Sequence, residues 1–142
     1  MKVKLIPLAI ICLLALSLAA CAQSGKQYNV SFTYDDFTRN KYQTLTIDDA
    51  SAGDKITITL PSNGTTGFQW SLTGISDKTV VAQEGKSQYL TPKSTLAGAG
   101  GQEVWTFKAL KTGTSTISLE YSQSWQGGTK GAWTFTANVT VK

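Results

Sequence analysis

The chain has 142 residues, of which 41% are hydrophobic and 15% charged, with 13 basic and 9 acidic side chains and a formal charge of +4. It contains no histidine, which removes at once the usual general base, the Ser-His-Asp and Cys-His nucleophile devices and the commonest zinc ligand. Lysine and arginine form no run, so there is no electrostatic case for nucleic acid, and the length suits one domain with its own core.

Residues 1–20 read as a secretory signal. Lys2 and Lys4 precede an apolar run from Leu5 to Leu16, and the stretch closes on Leu18-Ala19-Ala20-Cys21. It is too short, and too cleanly ended by small residues, for a spanning helix. The Leu-Ala-Ala-Cys ending resembles the bacterial lipoprotein signal, which implies a lipidated Cys21 as the new N-terminus and a chain anchored to the cell envelope through lipid alone. The other reading is a plain signal, or a retained anchor, that happens to end beside a cysteine. On the lipoprotein reading Cys12 leaves with the signal and Cys21 carries lipid, so no thiol is left for a disulfide, a redox pair or a metal. Losing Lys2 and Lys4 leaves 11 basic against 9 acidic residues, a charge of +2. Neither a cofactor nor a metal is expected.

Residues 21–42 come next, with Cys21 to Gln27 as a polar tether and one additional edge strand within Tyr28 to Phe37. The domain proper is expected over 43–142. Adjacent carboxylates at Asp35-Asp36 and Asp48-Asp49 would point to opposite faces of a strand, so they read as solvated charges rather than an acid/base pair. An enzyme is therefore disfavoured.

From Gln43 onward the pattern is alternation with period two. Ile56, Ile58 and Leu60 alternate with threonines. Phe68, Trp70 and Leu72 follow, then Trp105 and Phe107, then Ile117, Leu119 and Tyr121, then Trp133, Phe135, Ala137, Val139 and Val141. No segment after the signal shows sustained helical spacing. Glycine-bearing turns separate the runs, so the class is all-β, an immunoglobulin-like sandwich of about seven to eight strands. The expected strands are Lys55–Leu60, Phe68–Thr73, Val80–Leu90, Gln102–Leu110, Thr114–Ser122 and Ala132–Lys142. Glu84-Gly85-Lys86 is read as a bulge inside one of them rather than a hairpin.

Strands that alternate in direction put the loops at 61–67, 91–101 and 123–131 at the same end of the sandwich. These loops carry glycines, which let a backbone approach a partner closely, and the third offers the rigid ring of Trp125. The first reads Asn63-Gly64-Thr65-Thr66-Gly67-Phe68. The second ends Gly98-Ala99-Gly100-Gly101. The third opens Gln123-Ser124-Trp125. Phe68, Trp70, Trp105 and Trp133 read as core, whereas Trp125 has no alternating neighbours to bury it.

These three stretches, in this order, resemble the chagasin-type inhibitors of papain-like cysteine proteases, whose loops read Asn-Pro-Thr-Thr-Gly-Tyr/Phe, Gly-x-Gly-Gly and Arg-Pro-Trp. The resemblance covers about Gln43 to Lys142. Asn63, Thr65, Thr66, Gly67 and Phe68 match the first motif, with Gly64 in the proline's place. Gly98, Gly100 and Gly101 match the second. In the third only Trp125 matches, because Gln123 and Ser124 stand where the family has arginine and proline. The resemblance implies a monomeric inhibitor whose threonine loop lies across the catalytic cysteine of a papain-like protease while its neighbours grip the cleft walls. Thr65 and Thr66 would offer hydroxyls near the enzyme's cysteine-histidine pair. A different class of reading also accounts for an exposed Trp125 on a lipid-anchored domain: an immunoglobulin-like adhesion or glycan-binding module.

Overall fold

Side chains that alternate between aliphatic and hydroxyl leave each strand with one dry and one wet face, and two such sheets can hide their dry faces only against each other. In the computed structural model, which describes residues 25–94, 96 and 98–142, the chain does this with nine strands and one short helix. In chain order these are β1 (Gln27–Ser31), α1 (Tyr34–Arg39), β2 (Tyr42–Ala50), β3 (Lys55–Ser62), β4 (Phe68–Ile75), β5 (Val81–Gln83), β6 (Gln88–Leu90), β7 (Gly101–Ala109), β8 (Gly113–Gln123) and β9 (Trp133–Val141). One sheet has the order β1-β3-β7-β5, with β6 also on β7, and the other the order β2-β9-β8-β4. Residues 1–24, among them the expected leader and Cys21, lie outside the described residues.

The dry faces meet as the alternation predicts. Ile56, Ile58 and Leu60 on β3 and Trp105 and Phe107 on β7 oppose Ile117, Leu119 and Tyr121 on β8 and Phe135, Ala137, Val139 and Val141 on β9, all buried. At about 1.5–3 kcal/mol for each large aliphatic or aromatic side chain taken from water, this face-to-face burial is the main stabilising term. Trp133 is half-buried instead, with its ring stacked on Tyr121 at 4.9 Å.

Val81–Gln83 and Gln88–Leu90 both pair antiparallel to β7, through Gln83 opposite Phe107 and Gln88 opposite Val104. Five steps on one side therefore face three on the other, so the chain bulges around Gly85, whose φ of 73° suits glycine, without reversing. Counted as one interrupted strand, β5 and β6 bring the total to eight.

The N-terminal part departs from expectation. The extra edge strand is β1, shorter than Tyr28 to Phe37 and parallel to β3, and it is followed by α1. Thr33 caps that helix through a reciprocal capping box with Asp36, so Asp35 and Asp36 occupy a helical first turn rather than opposite faces of a strand. Phe37 is fully buried, stacked on Trp133 at 5.0 Å and tilted against Trp70 at 5.3 Å. Gln27, expected at the end of the polar tether, is thus the first residue of β1, and the segment to Arg39 packs into the sandwich as a strand followed by a helix. β2, which pairs parallel to β9, is a further strand absent from the expected set. Among the described residues no helix is long and apolar enough to cross a membrane.

Candidate functional site

Strand register decides where the loops meet. Ser62 pairs with Gly101, which puts the start of the first loop against the end of the second. Phe68 pairs with Gln123, which puts the end of the first loop against the start of the third. The structure accordingly brings all three predicted stretches to one pole.

The first loop is a closed turn. Asn63 caps the 3₁₀ turn Gly64–Thr66: its side-chain oxygen accepts from the Thr65 backbone N–H at 3.2 Å and from the Thr65 hydroxyl at 2.7 Å. The Thr66 hydroxyl donates to the Asn63 carbonyl at 2.6 Å. Gly67 then turns the chain into β4 with φ 73° and ψ 0°, a left-handed conformation that penalises any residue with a Cβ. Both threonines are exposed and uncharged, but their hydroxyl protons are engaged inside the turn. Toward a partner they offer lone pairs and methyl groups rather than free donors.

Two hydrogen bonds tie the loops together. The Asn63 side-chain amide donates to the Gly98 carbonyl at 3.0 Å, and the Gln123 side-chain amide donates to the Thr66 carbonyl at 3.2 Å. The oxygen of the Gln123 side chain accepts from the Thr129 backbone N–H at 3.0 Å, so this residue brackets the first and third loops from its place at the end of β8. Ser124 is exposed beside it. Trp125 is 50% exposed, and its ring lies over Gly67, where a Cβ would come within 2.4 Å of the indole. In the second loop Gly98 has φ 80°, Ala99 is half-buried, and Gly100 and Gly101 are close-approach positions. A Cβ at Gly101 would stand 2.3 Å from the Leu90 carbonyl, which explains a glycine where β6 passes β7. Phe68 is half-buried and stacks on Tyr121 at 5.2 Å, so it steadies the end of the first loop from below.

Three supporting residues were not anticipated. The Tyr121 hydroxyl accepts from the Asn63 backbone N–H at 2.8 Å and pins the start of the turn. Glu103, 7% exposed, accepts from the Ser62 hydroxyl at 2.7 Å and the Trp70 backbone N–H at 3.1 Å, so a single carboxylate holds both stems of the first loop. The third is Tyr34 of α1, which packs against Gly100. Burial pushes its phenol above the ordinary tyrosine range. The sequence did carry a signal for Glu103, which sits on the inward alternation with Trp105, Phe107 and Ala109. It carried none for Tyr34.

The tip has two lysines, Lys93 and Lys130, and no carboxylate within its loops. Among the described residues no three histidine, cysteine or acidic side chains gather as a metal site. What the pole presents is a rigid, uncharged turn, a neighbouring glycine loop and one aromatic ring, an arrangement suited to filling a concavity rather than to moving protons.

Comparison with known proteins agrees with this geometry. Residues 49–139 match the profile of the chagasin family of peptidase inhibitors. The chain is 35% identical to chagasin of Trypanosoma cruzi over 97 residues, which is 66% of this chain and 84% of that protein. It is 29% identical to amoebiasin-2 of Entamoeba histolytica over 92 residues, 65% of this chain and 74% of that one. The fold resembles a crystal structure of a cysteine protease inhibitor from Entamoeba histolytica, with a TM-score of 0.57 at 22% identity, covering 80% of this chain and 97% of the other. It also resembles an inhibitor solved in complex with falcipain-2, with a TM-score of 0.52 at 19% identity, covering 83% of this chain and 98% of the other.

Proposed function

The chain belongs to the chagasin family of peptidase inhibitors, and from that premise we propose that it inhibits papain-like cysteine proteases by seating its three-loop pole in their active-site cleft. The observation that carries this reading is the bracing of the loops, with Asn63 bonded to Gly98 and Gln123 to Thr66. A pole fixed in advance leaves less conformational entropy to lose on binding, so more of the contact energy reaches the affinity.

Inhibition follows from occupancy. A protease cleaves a backbone held extended across its nucleophile, and the Gly64–Thr66 segment is wound into a 3₁₀ turn closed by its own hydroxyls. It fills the cleft without offering a scissile bond in cleavable geometry. The turn is uncharged, so its desolvation in the cleft costs little beside that of an ion. Trp125 acts as the lateral anchor, and its contact with Gly67 couples the first and third loops. Family membership favours this use of the exposed ring over a glycan-stacking platform.

We also propose that the chain acts as a monomer, and that Cys21 is lipidated and holds it to the cell envelope. The topology supports a useful orientation. Parallel pairing sets Gln27 beside Lys55 and Ser31 beside Thr59, so β1 runs toward the loop pole and the chain enters the domain at the opposite pole. An anchor at Cys21 would therefore leave the three loops facing away from the membrane. Active-site titration of papain with the protein tests the inhibitory reading, with one-to-one stoichiometry and an uncleaved inhibitor as the expected result. Metabolic labelling with a fatty acid, abolished in Cys21→Ser, tests the anchor.

A further inference from the structure

Residues 25–48 precede the segment matched by the family profile, yet their helix reaches the loop pole. Tyr34, the first residue of α1, has its ring edge-on to Trp133 at a centroid distance of 5.5 Å. It lines a groove of about 270 Å³ together with Asn63 and Thr66 of the first loop, and a second groove of about 480 Å³ together with Ala99 and Gly100 of the second. A Cβ at Gly100 would lie 2.6 Å from the Tyr34 hydroxyl and 2.7 Å from its ring. Gly100 is not among the residues with positive φ. Its backbone would accept alanine, and it is the tyrosine that excludes a side chain there. The phenol oxygen is buried near the Tyr121 hydroxyl without closing a hydrogen bond to it or to any other described residue, so packing of the ring is the main thing that fixes its place.

We propose that Tyr34 is a positioning residue of the inhibitor, a wedge inserted between the first and second loops that sets their separation and makes the N-terminal helix part of the binding pole. This rests on the inhibitory reading above. α1 is well built for the task, since the Thr33 and Asp36 capping box fixes its start and the fully buried Phe37, one turn on, fixes its seat. The wedge is an apolar object, so phenylalanine should serve as well as tyrosine, and without its unpartnered hydroxyl should be no less stable.

The test compares wild type with Tyr34→Phe, Tyr34→Ala, Gly100→Ala and the Tyr34→Ala, Gly100→Ala double variant. Val139→Ala serves as a control for simple loss of stability, because Val139 is buried toward the far pole, opposite Ser115. Expected results are wild-type inhibition of papain by Tyr34→Phe, an inhibition constant raised at least tenfold by Tyr34→Ala, and no change in Val139→Ala despite a lowered Tm. Gly100→Ala should weaken inhibition strongly in the wild-type background and by less than threefold in the Tyr34→Ala background, where the obstruction is gone. Equal costs of Gly100→Ala in both backgrounds, or full inhibition by a folded Tyr34→Ala, would overturn the wedge. Should Tyr34→Ala not fold, Tyr34→Leu, which lacks the ring's reach, carries the same comparisons. Amide hydrogen exchange at Gly98 to Gly101 needs no protease: it should accelerate in Tyr34→Ala and not in Tyr34→Phe, and unchanged exchange overturns the proposal. A wild-type protein that fails to inhibit would contradict the inhibitory reading and leave the exchange result to decide the wedge.

Discussion

Replacing Gly64 by proline should stabilise this protein and tighten its inhibition together. Gly64 is the first residue of the 3₁₀ turn capped by Asn63, a position whose N–H has no acceptor within the turn, so proline removes no bond. A Cβ there meets nothing within 4 Å, and Gly64 is not among the positive-φ glycines. The one adjustment falls on Asn63, at φ −129° and ψ 92°, which needs a rotation of about 30° in ψ to reach the range favoured before proline. Loss of unfolded-state freedom at a compatible site is worth about 0.4–1 kcal/mol. For a domain of this size that raises Tm by about 2–4 °C. The bonds that brace the turn already remove much of this freedom from the free inhibitor, and proline removes what remains, so the inhibition constant should fall by at most about two- to fivefold. Calorimetry and papain titration of wild type and Gly64→Pro read both. A lowered Tm would refute the placement of Gly64 at the start of the turn, and a raised Tm with unchanged inhibition would refute loop ordering as a cost of binding.

The other predictions concern neighbouring positions and pH. Replacing Thr65 and Thr66 with a glutamate-lysine pair removes two local hydrogen bonds at an exposed site and should cost at most about 1 kcal/mol in urea unfolding. The same pair should raise the inhibition constant more than about a hundredfold, because unpaired charges would enter a desolvated cleft. Ser124→Pro should leave the fold unchanged, whereas Gln123→Arg should cost about 1 kcal/mol, since arginine cannot accept from the Thr129 N–H; the double variant should still inhibit more tightly than wild type, as inhibition constants will show. Gly67→Ala combines a left-handed φ with a collision against Trp125 and should lower stability by about 1–2 kcal/mol in urea unfolding. With no histidine in the chain, stability should be level from about pH 5 to 8. Asp36, Asp49, Asp77 and Glu84 are held below their ordinary carboxylate values by hydrogen bonds from Thr33, Lys26, Thr79 and Lys55 respectively. Their depressed folded-state values mean that this contribution is complete above about pH 5 and is lost as pH falls through the folded values, so thermal scans should show Tm declining below about pH 4.

Where a strand buries one face, its alternation is written in the sequence, and Ile56-Thr57-Ile58-Thr59-Leu60 and Phe135-Thr136-Ala137-Asn138-Val139 could be read directly. The gathering of three loops at one pole was legible for the same reason, since consecutive antiparallel strands alternate their ends. Helix α1 was not, because Tyr34 to Arg39 is too short to show a period, and its strongest signal, Thr33 three residues before Asp36, uses aspartate where a capping box ordinarily has glutamate or glutamine. The parallel partners of β1 and β2 depend on chain crossings that no local pattern encodes. At the site, Asn63, Gly67 and Trp125 could be singled out by residue type, whereas the role of Gln123 as a bracket and of Tyr34 as a neighbour of Gly100 exists only across sequence separations that folding closes.

The most direct measurement is titration of the protein against papain, a cathepsin-type enzyme and trypsin in parallel, with the inhibitor recovered and its mass determined afterwards. The account predicts reversible one-to-one inhibition of both cysteine proteases, competitive with substrate, no inhibition of trypsin, and an inhibitor returned uncut between Asn63 and Phe68. Equal inhibition of trypsin, cleavage within that turn, or active papain at every inhibitor concentration would contradict it.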